Sequence, residues 1–280
     1  MTIKLIAVDM DGTFLNDQMK YDAARFFKQY VKMKEQGIRF VVASGNQYYQ
    51  LKSFFGEIKE EISYVAENGA FVVDQGQEIF SVDLPKKDVK LILEGLATHK
   101  NLSIVLCGKE SAYVLESVSD HFFETVNKHY HRLKRVASFE QVDDQVLKFA
   151  LSCPEKETLQ LRDLLHTKIG SIITPVSSGH GSIDLIVPGF HKAFGIQLLQ
   201  QRWNVKDDET MAFGDGGNDI EMLKHVKYGF AMENGSDEVK SITNYIAPSN
   251  DDSGVLEIID QYFAKQGLFR STVDTTRNYR

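Results

Sequence analysis

The chain is poor in cysteine: Cys107 and Cys153 are the two that it contains, and they form no CxxC pair. A disulfide framework or a structural zinc site needs more cysteines at closer spacing. We therefore expect two reduced thiols in a reducing compartment. The sequence also opens on a strand pattern and lacks the charged and then apolar layout of a signal peptide, so we expect a cytoplasmic location.

Long apolar runs and an excess of positive charge are also missing. No run approaches the roughly 18 apolar residues that cross a membrane. The chain has 32 Lys and Arg against 39 Asp and Glu, a formal net charge of −7, whereas nucleic-acid binders usually show a basic excess. These features predict no membrane partner and no nucleic-acid partner. The basic segment 128–135 (KHYHRLKR) is interpreted as solvated surface.

The 280 residues, 42% of them hydrophobic, provide enough apolar material for two domains. The first third alternates strand and helix, with strands predicted over Ile3–Val8 and Ile38–Ala43 and a helix over Ala23–Gln36. This alternation predicts a parallel sheet with right-handed crossovers. It returns after Pro188, so both ends of the chain are expected to build one sheet.

The middle of the chain has a different pattern, with helices, a hairpin and further strands. We therefore predict an α/β fold, a doubly wound parallel-sheet (Rossmann-like) core with an inserted α+β cap domain. The predicted boundaries are 1–82 plus 188–270 for the core, 83–187 for the cap and 271–280 for a polar tail, with the chain after Gly267 expected to be loose. Within the cap, Ser152 and Glu155 match a capping box that predicts a helix start. Loops 108–111 and 177–182 are expected to face the substrate.

Polar side chains follow several predicted strands at the point where each strand ends. Ligands bind beyond the carboxyl ends of the strands in an open parallel sheet, so these side chains are expected to converge. They are Asp9, Asp11, Ser44, Asp215, Asn218 and Asp219. Glycines beside them let the backbone turn sharply and approach a ligand closely.

Several carboxylates at one edge repel each other unless a cation neutralises them. Oxygen ligands without a neighbouring His or Cys favour Mg²⁺ over zinc. Magnesium keeps waters in its coordination shell and completes it with phosphate oxygens. The sequence therefore predicts a Mg²⁺ site and an anionic substrate that shares it.

Lys192 begins a predicted helix directly after a strand, where backbone amides already favour anions. A lysine there would screen a phosphoryl group and a carboxylate nucleophile together, and Ser44 would donate to the same phosphoryl oxygens. Attack by a carboxylate on phosphorus is a covalent route of catalysis. A second carboxylic acid can protonate the leaving oxygen and later deprotonate water.

Four short motifs carry a resemblance to a known family. Segments 9–13 (DMDGT) and 44–45 (SG), then Lys192 and segment 214–219 (GDGGND), resemble in order the motifs of the haloacid dehalogenase-like (HAD) phosphatase superfamily. The insert after the second motif resembles that of the Cof-type branch. Segments 43–49 (ASGNQYY) and 66–70 (AENGA) are similar to those of the sugar phosphatases in that branch.

The resemblance implies a role for each matching position. Asp9 would be the nucleophile, and Asp11 would be the general acid and base and would offer its backbone carbonyl to Mg²⁺. Asp9 and Asp215 would be the carboxylate ligands of the metal, with Asp219 a ligand or an outer partner. The phosphoryl group or the substrate near it would be held by Ser44, Gly45, Asn46, Lys192 and Asn218.

Asn46 departs from the family pattern, because many relatives carry Arg after the Ser-Gly pair. The change removes a permanent charge and its fork of donors, which favours a neutral polyol over a second phosphate. We expect a Mg-dependent phosphatase that hydrolyses small phosphomonoesters, sugar phosphates above all, through an aspartyl-phosphate. The expected partner is a small-molecule sugar phosphate, and the expected assembly is a monomer or weak homodimer.

Three other functions stay open at this point. A phosphotransferase or mutase would pass the phosphoryl group to a sugar hydroxyl instead of water. A phospho-accepting signalling protein also combines an acidic cluster, a hydroxyl and a lysine on a parallel sheet, although its acceptor follows a middle strand and it needs no cap. A catalytically silent sugar-binding protein would show no turnover.

Overall fold

The computed structural model describes residues 2–99, 102–179 and 181–270, and it divides their strands between two sheets. The first sheet has eight strands, drawn from both ends of the chain. They are β1 (Leu5–Val8), β2 (Arg39–Ala43), β3 (Ser63–Ala66), β4 (Phe71–Asp74), β5 (Gln77–Ser81), β12 (Thr210–Gly214), β13 (Tyr228–Met232) and β14 (Tyr245–Ala247). Their order is β14-β13-β12-β1-β2-β3-β4-β5. The six strands from β14 to β3 are parallel, and β3, β4 and β5 pair antiparallel.

Helices cover both faces of this sheet, as a doubly wound fold requires. They are α1 (Ala23–Glu35), α2 (Tyr48–Ser53), α6 (Lys192–Trp203), α7 (Ile220–His225), α8 (Asp237–Ser241) and α9 (Gly254–Phe263). On one face, α1 and α9 pack beside each other over side chains such as Ile6 and Val8. On the other face, α6 and α7 pack over Leu5 and Ala7. Because β1 is covered on both faces, its four residues are all apolar and buried.

The second sheet comes from the middle of the chain and has six strands. They are β6 (Ser103–Gly108), β7 (Ala112–Leu115), β8 (Leu133–Val136), β9 (Val146–Ser152), β10 (Thr174–Gly179) and β11 (Ser182–Ile186), in the order β10-β11-β9-β6-β7-β8. All pairs are antiparallel except β7 and β8. Helices α3 (Lys86–Leu96) and α5 (Thr158–Ile169) pack on one face, and α4 (Asp120–Asn127) packs on the other. We call this sheet with its three helices the cap, and the first sheet with its helices the core domain.

The predicted fold class is confirmed: a doubly wound core carries an inserted α+β cap. Sheet membership changes between β5 and β6 and again between β11 and β12, while the boundaries at residues 83 and 187 stay predictions. Four local expectations were wrong or incomplete. Hairpin β4–β5 and strand β8 were not expected, and Ser152 ends strand β9 instead of beginning a helix, because α5 starts only at Thr158. Residues 267–269 form a 3₁₀ turn that buries Phe269 against the core domain, and tail residues 271–280 lie outside the described residues.

Candidate active site

Asp9 lies at the carboxyl end of β1, in the middle of the first sheet. Its backbone N–H donates to the carbonyl of Phe213 on the neighbouring parallel strand β12 at 3.0 Å. The loop after β12 carries Asp215, Asn218 and Asp219, so the parallel register brings the two loops to the same edge. The structure therefore shows the expected convergence for Asp9 of the first motif and for the polar residues of the last motif, 214–219.

Lys192 is the first residue of α6 and is completely buried. The His191 ring accepts the Phe194 N–H at 3.2 Å and caps the helix. A cation at a helix N-terminus is unfavourable by itself, and here two carboxylates compensate for it. The Lys192 ammonium donates to Asp9 Oδ1 at 2.6 Å and to Asp219 Oδ1 at 2.7 Å. The two ion pairs outweigh burial and hold the pKa of Lys192 above its ordinary value.

The carboxylates around Lys192 carry more negative charge than one ammonium balances. Burial, with the neighbouring charges of Asp219 and Asp215, raises the pKa of Asp9 well above its ordinary value in spite of Lys192. Burial and the charge of Asp219 also raise the pKa of Asp215 to about 6. A second positive charge at this place would therefore stabilise both ionised carboxylates.

The arrangement of these oxygens fits a hard divalent cation. Asp9, Asp215 and Asp219 each offer one carboxylate oxygen, and the three atoms lie within 4.8 Å of one another. Oxygen donors of this kind suit Mg²⁺. The side chain of Asp11 is not part of this group, and the predicted contribution of its backbone carbonyl stays a prediction.

Short contacts hold Asp215 in its place. Thr13 Oγ1 donates to Asp215 Oδ1 at 2.7 Å. Gly12 has φ +74°, and a Cβ on it would lie 2.5 Å from Asp215 Oδ2, so the turn after Asp11 has no room for a side chain. Asp219 Oδ2 accepts the backbone N–H groups of Asp215 and Gly216, each at 3.0 Å, which fixes the second acidic loop.

The loop after β2 brings Ser44, Gly45 and Asn46 to the same edge. The Asn46 backbone N–H donates to Ser44 Oγ at 3.1 Å, so the proton of the hydroxyl is what Ser44 offers to a ligand. The Asn46 side chain donates to Asp11 Oδ2 at 2.5 Å. Asp11 Oδ1 is buried and has no hydrogen-bond partner among the described residues. Asn46 therefore contacts the predicted acid and base itself.

A cavity of about 610 Å³ separates the core domain from the cap. Every predicted site residue except Lys192 and Asp219 lines it, since those two lie behind Asp9. The cap side is formed by the β6, β9 and β11 face, which includes Lys148, Ser152 and Asp184, and by a wall along and after α4 that includes Phe122 and His129. Alternate residues of one strand share a face, which explains the spacing on β9 and β11.

The two loops expected to face the substrate, 108–111 and 177–182, differ in whether they line the cavity. Loop 108–111 does not line the cavity, because Asp144 binds it at the far end of the β6–β7 hairpin, where it accepts the N–H groups of Glu110 and Ser111. Ser182, at the end of the second loop, lines the cavity, while His180 lies outside the described residues. The expectation was wrong for the first loop because hairpin tips point away from the sheet face that binds.

Aromatic and basic side chains near the cavity join the two domains. Tyr48 packs against Tyr64 and Phe71 in the core domain, as expected for packing aromatics. The guanidinium of Arg132 from the basic segment lies 3.4 Å from the centre of the Tyr49 ring. The Gln47 side-chain amide donates to the Arg132 carbonyl at 2.9 Å and accepts the Arg132 backbone N–H at 2.8 Å. Part of segment 128–135 is thus domain interface and not only solvated surface.

The sequence reasoning missed a set of buried polar side chains at this interface. Lys148 and Asp184 belong to the cap sheet, and Glu67 and Asn68 follow β3. Lys148 and Asp184 left a signal, since each interrupts a strand that is otherwise mostly apolar (VLKFALS and SIDLI). A charge inside such a strand needs a buried partner. Burial raises the pKa of Glu67 to about 7, in spite of the nearby Lys148.

The model of one protein family matches residues 6–259, and its description is haloacid dehalogenase-like hydrolase. The chain belongs to the haloacid dehalogenase-like hydrolases. The predicted resemblance to this superfamily and its Cof-type branch is therefore confirmed. Within the described part of the chain, no helix has both the length and the apolar character to cross a membrane.

Two curated relatives of this hydrolase carry the same functional name. The 5-amino-6-(5-phospho-D-ribitylamino)uracil phosphatase YbjI of Escherichia coli is 49% identical over 269 residues, 96% of this chain and 99% of the relative. The phosphatase YitU of Bacillus subtilis, named for the same substrate, is 26% identical and covers 93% of this chain and 97% of its own. Their names state a phosphorylated ribityl compound and not a simple sugar phosphate.

A solved structure shows the same architecture over nearly the whole chain. The protein SMU.1108c of Streptococcus mutans superposes with a TM-score of 0.90 at 39% identity and covers 94% of this chain and 100% of its own. The arrangement of a doubly wound core and a cap is thus shared with a solved structure.

Proposed function

We propose that this hydrolase is a Mg-dependent phosphomonoesterase that works through an aspartyl-phosphate on Asp9. The observation that carries the proposal is the position of Asp9: it ends the central strand β1, faces the cavity and lies 2.6 Å from a completely buried lysine. Lys192 keeps the Asp9 carboxylate oriented and compensates for the charge of an incoming phosphate. Magnesium held by Asp9, Asp215 and Asp219 would draw charge from the phosphoryl oxygens.

The residues support two successive displacements at phosphorus. In the first, an Asp9 oxygen forms a bond to phosphorus, the bond to the ester oxygen breaks, and protonated Asp11 gives its proton to that oxygen. In the second, ionised Asp11 takes a proton from water, whose oxygen attacks phosphorus and frees Asp9. The Asp11 side chain lines the cavity, and its Oδ1 is buried with no hydrogen-bond partner among the described residues, so this oxygen keeps a free position for a proton.

We propose a phosphorylated polyol that carries a ring as the substrate class, with 5-amino-6-(5-phospho-D-ribitylamino)uracil as the first candidate. The names of two relatives support it, one of them 49% identical. The cavity supports it as well, because its volume of about 610 Å³ lies within the range of sites for drug-sized molecules, about 300 to 1,000 Å³. Asn46 brings no second permanent charge to the cavity, which suits an uncharged ribityl chain.

The test is phosphate release from a panel of esters with Mg²⁺ present: the ribitylaminouracil phosphate, ribitol 5-phosphate, hexose 6-phosphates and a nucleotide. We expect the highest kcat/KM for the first and no turnover of any ester by Asp9→Asn, because an amide is a poor nucleophile. Thermal unfolding of Asp9→Asn checks that the fold is intact. Equal kcat/KM across the panel would contradict the substrate class, and full activity of Asp9→Asn would contradict the mechanism. Transfer of phosphate to an added polyol in preference to water would make the enzyme a phosphotransferase.

A further inference from the structure

A buried polar network joins the cap sheet to the loops of the phosphoryl site. Its members Lys148 and Asp184 belong to the cap, while Glu67 and Asn68 belong to the core domain. Lys148, Glu67 and Asn68 are each 1% exposed, and Asp184 is 6% exposed. Buried charges at a domain interface are unfavourable unless partners satisfy them, so the partners show what the network holds together.

The Lys148 ammonium makes its hydrogen bonds to acceptors inside the protein. It donates to the Gly45 carbonyl at 2.7 Å and to Asp184 Oδ1 at 2.7 Å, and Glu67 Oε2 lies 3.4 Å away as an ion-pair partner without a hydrogen bond. An ammonium has three N–H groups and no acceptor. Lys148 lines the cavity, and its hydrogen bonds to Gly45 and Asp184 fix the ammonium between the cap sheet and the Ser44 loop.

Asp184 continues the network toward the last catalytic motif. Its Oδ2 accepts from the Asn68 side chain at 2.6 Å, and Asn68 Oδ1 accepts from the Asn218 side chain at 3.0 Å. The two ends of the network are thus Gly45, which follows Ser44, and Asn218, which precedes Asp219. Both ends lie beside the groups proposed to hold the phosphoryl group.

The backbone of the core-domain loops is shaped around this network. Glu67 and Asn68 have φ of +51° and +56°, which is unusual for residues with a Cβ. Such strain persists where surrounding contacts impose it, and here the Asn68 N–H donates to the Ser44 carbonyl at 3.0 Å. A Cβ on Gly45 would lie 3.0 Å from Asp184 Oδ2 and 3.2 Å from the Asn68 amide. The Ser44 loop and the 67–69 turn therefore pack directly on the cap pair.

We propose that Lys148 and Asp184, although they belong to the cap, are positioning residues for the phosphoryl pocket and not contacts that select the leaving group. The proposal rests on the proposed phosphatase mechanism. Loss of the pair moves Ser44 and Asn218, which face the phosphoryl group common to all substrates. Every ester and inorganic phosphate itself then bind more weakly by the same factor. Ser182 lies on the same face of β11 as Asp184, and it faces the variable part of the substrate. Loss of the Ser182 hydroxyl therefore changes the ratios between esters and leaves the binding of inorganic phosphate unchanged.

The test compares Lys148→Met with Ser182→Ala on three esters: p-nitrophenyl phosphate, ribitol 5-phosphate and the ribitylaminouracil phosphate. Inorganic phosphate serves as a competitive inhibitor. For Lys148→Met we expect KM for all three esters and Ki for phosphate to rise together, by about tenfold to a hundredfold, the scale of loss from a misplacement of about 1 Å. For Ser182→Ala we expect the ratios between esters to change and Ki for phosphate to stay constant. A merely destabilised protein would show fewer active molecules, hence a lower kcat with unchanged KM and Ki.

Asn68→Gly is the second variant, for the case that Lys148→Met does not fold. Glycine accepts the positive φ of this position, and the substitution removes both side-chain hydrogen bonds of Asn68. We expect the same parallel rise in KM and Ki. If either folded variant changes the ranking of esters while Ki for phosphate stays constant, the pair contacts the leaving group and the proposal is wrong. If the wild type releases phosphate from none of the three esters, the proposed function fails instead.

Discussion

Asn46 connects the phosphate-binding loop to the proposed acid and base. Its side chain donates to Asp11 Oδ2 at 2.5 Å, while the other Asp11 oxygen, Oδ1, is buried without a hydrogen-bond partner among the described residues. A neutral donor holds a carboxyl without a fixed positive charge beside it, unlike an arginine. Asn46 therefore orients the Asp11 carboxyl without placing a permanent charge beside it.

We predict that Asp11→Asn loses activity toward a poor leaving group and keeps more of it toward a good one. A good leaving group such as p-nitrophenolate needs little protonation, so the acid matters less for it. On ribitol 5-phosphate we expect a loss of about a hundredfold or more in kcat, the usual scale of general acid catalysis. Asn46→Ala should show the same direction with a smaller loss, because Asp11 stays but loses its orientation. Single-turnover rates of phosphoenzyme formation give the measurement, and equal losses on both esters would argue against Asp11 as the acid.

The Glu67 carboxyl makes a pH-dependent contribution to stability. Its pKa is about 7 in the folded protein, against an ordinary value of 4.5. The charged groups that face it are Lys148 and Asp184. Between pH 4.5 and 7 the folded state keeps a proton that the unfolded state has lost, so this group makes stability fall as pH rises through that window and level off above it. A shift of this size corresponds to roughly 3 kcal/mol.

We therefore predict that Glu67→Gln reduces the difference in unfolding free energy between pH 5 and pH 8. Urea unfolding at both pH values gives the measurement, and the exposed Glu57→Gln is the matched control. We expect the variant to lose less stability than the wild type on going from pH 5 to pH 8, by about 1 to 3 kcal/mol. An unchanged difference would mean that Glu67 is ionised in the folded state throughout this range.

Among the secondary-structure elements, the positions of core strands and of the polar residues at their ends could be predicted from the sequence. The strands predicted over Ile3–Val8 and Ile38–Ala43 are found as β1 (Leu5–Val8) and β2 (Arg39–Ala43), because short apolar runs between turn signals indicate buried strands. The convergence of Asp9 and Asp215 follows from parallel strand ends that share one edge, whereas Lys192 begins α6 after the cap strand β11. Their roles in catalysis stay predictions until the variants are measured.

The parts that the sequence did not predict depend on tertiary contacts. Hairpin β4–β5 is the exception, because its two-residue turn, Gln75 and Gly76, with φ of +50° and +79°, is a local hairpin signal. The Lys148–Asp184 pair joins β9 to β11 across 36 residues. Only the fold shows that these two charges satisfy each other and the Gly45 carbonyl. Spacing in one sequence contains no information about such partners.

Helix α4 forms part of the cavity wall on the cap side. Phe122 lines the cavity, whereas Phe123 beside it does not and packs under the guanidinium of Arg135, 4.8 Å from its ring centre. Both rings contact the same apolar cluster of the cap. The two neighbours therefore form a matched pair in which one ring faces the cavity and the other does not.

We predict that Phe122→Ala lowers kcat/KM for a ring-bearing ester more than for ribitol 5-phosphate, by about tenfold, because a buried aromatic contact is lost. Phe123→Ala should lower stability and leave the ratio of the two esters unchanged. Initial rates on both esters and thermal unfolding of both variants give the comparison. The same ratio in both variants would place the leaving group elsewhere in the cavity.

At the scale of the whole molecule, the candidate metal site is assembled by folding alone. Asp9 follows the first strand, and Asp215 and Asp219 follow the twelfth, so about two hundred residues and the entire cap lie between the ligands. The unfolded chain does not hold these carboxylates together. A cation that binds them therefore stabilises the native state by the full free energy of its binding.

We predict that Mg²⁺ raises the midpoint of thermal unfolding and that EDTA removes both this rise and all turnover. At a hundredfold excess over Kd the stabilisation is about 3 kcal/mol, which amounts to several degrees for a chain of this size. Asp215→Asn should lose the rise, while Asp143→Asn, an exposed carboxylate of the cap, should keep it. Burial and the neighbouring carboxylates raise the pKa values of Asp9 and Asp215, and Mg²⁺ favours their ionised forms, so the effect should be larger at pH 8 than at pH 5. Differential scanning calorimetry with and without metal measures it independently of activity, and full turnover in excess EDTA would contradict the metal assignment.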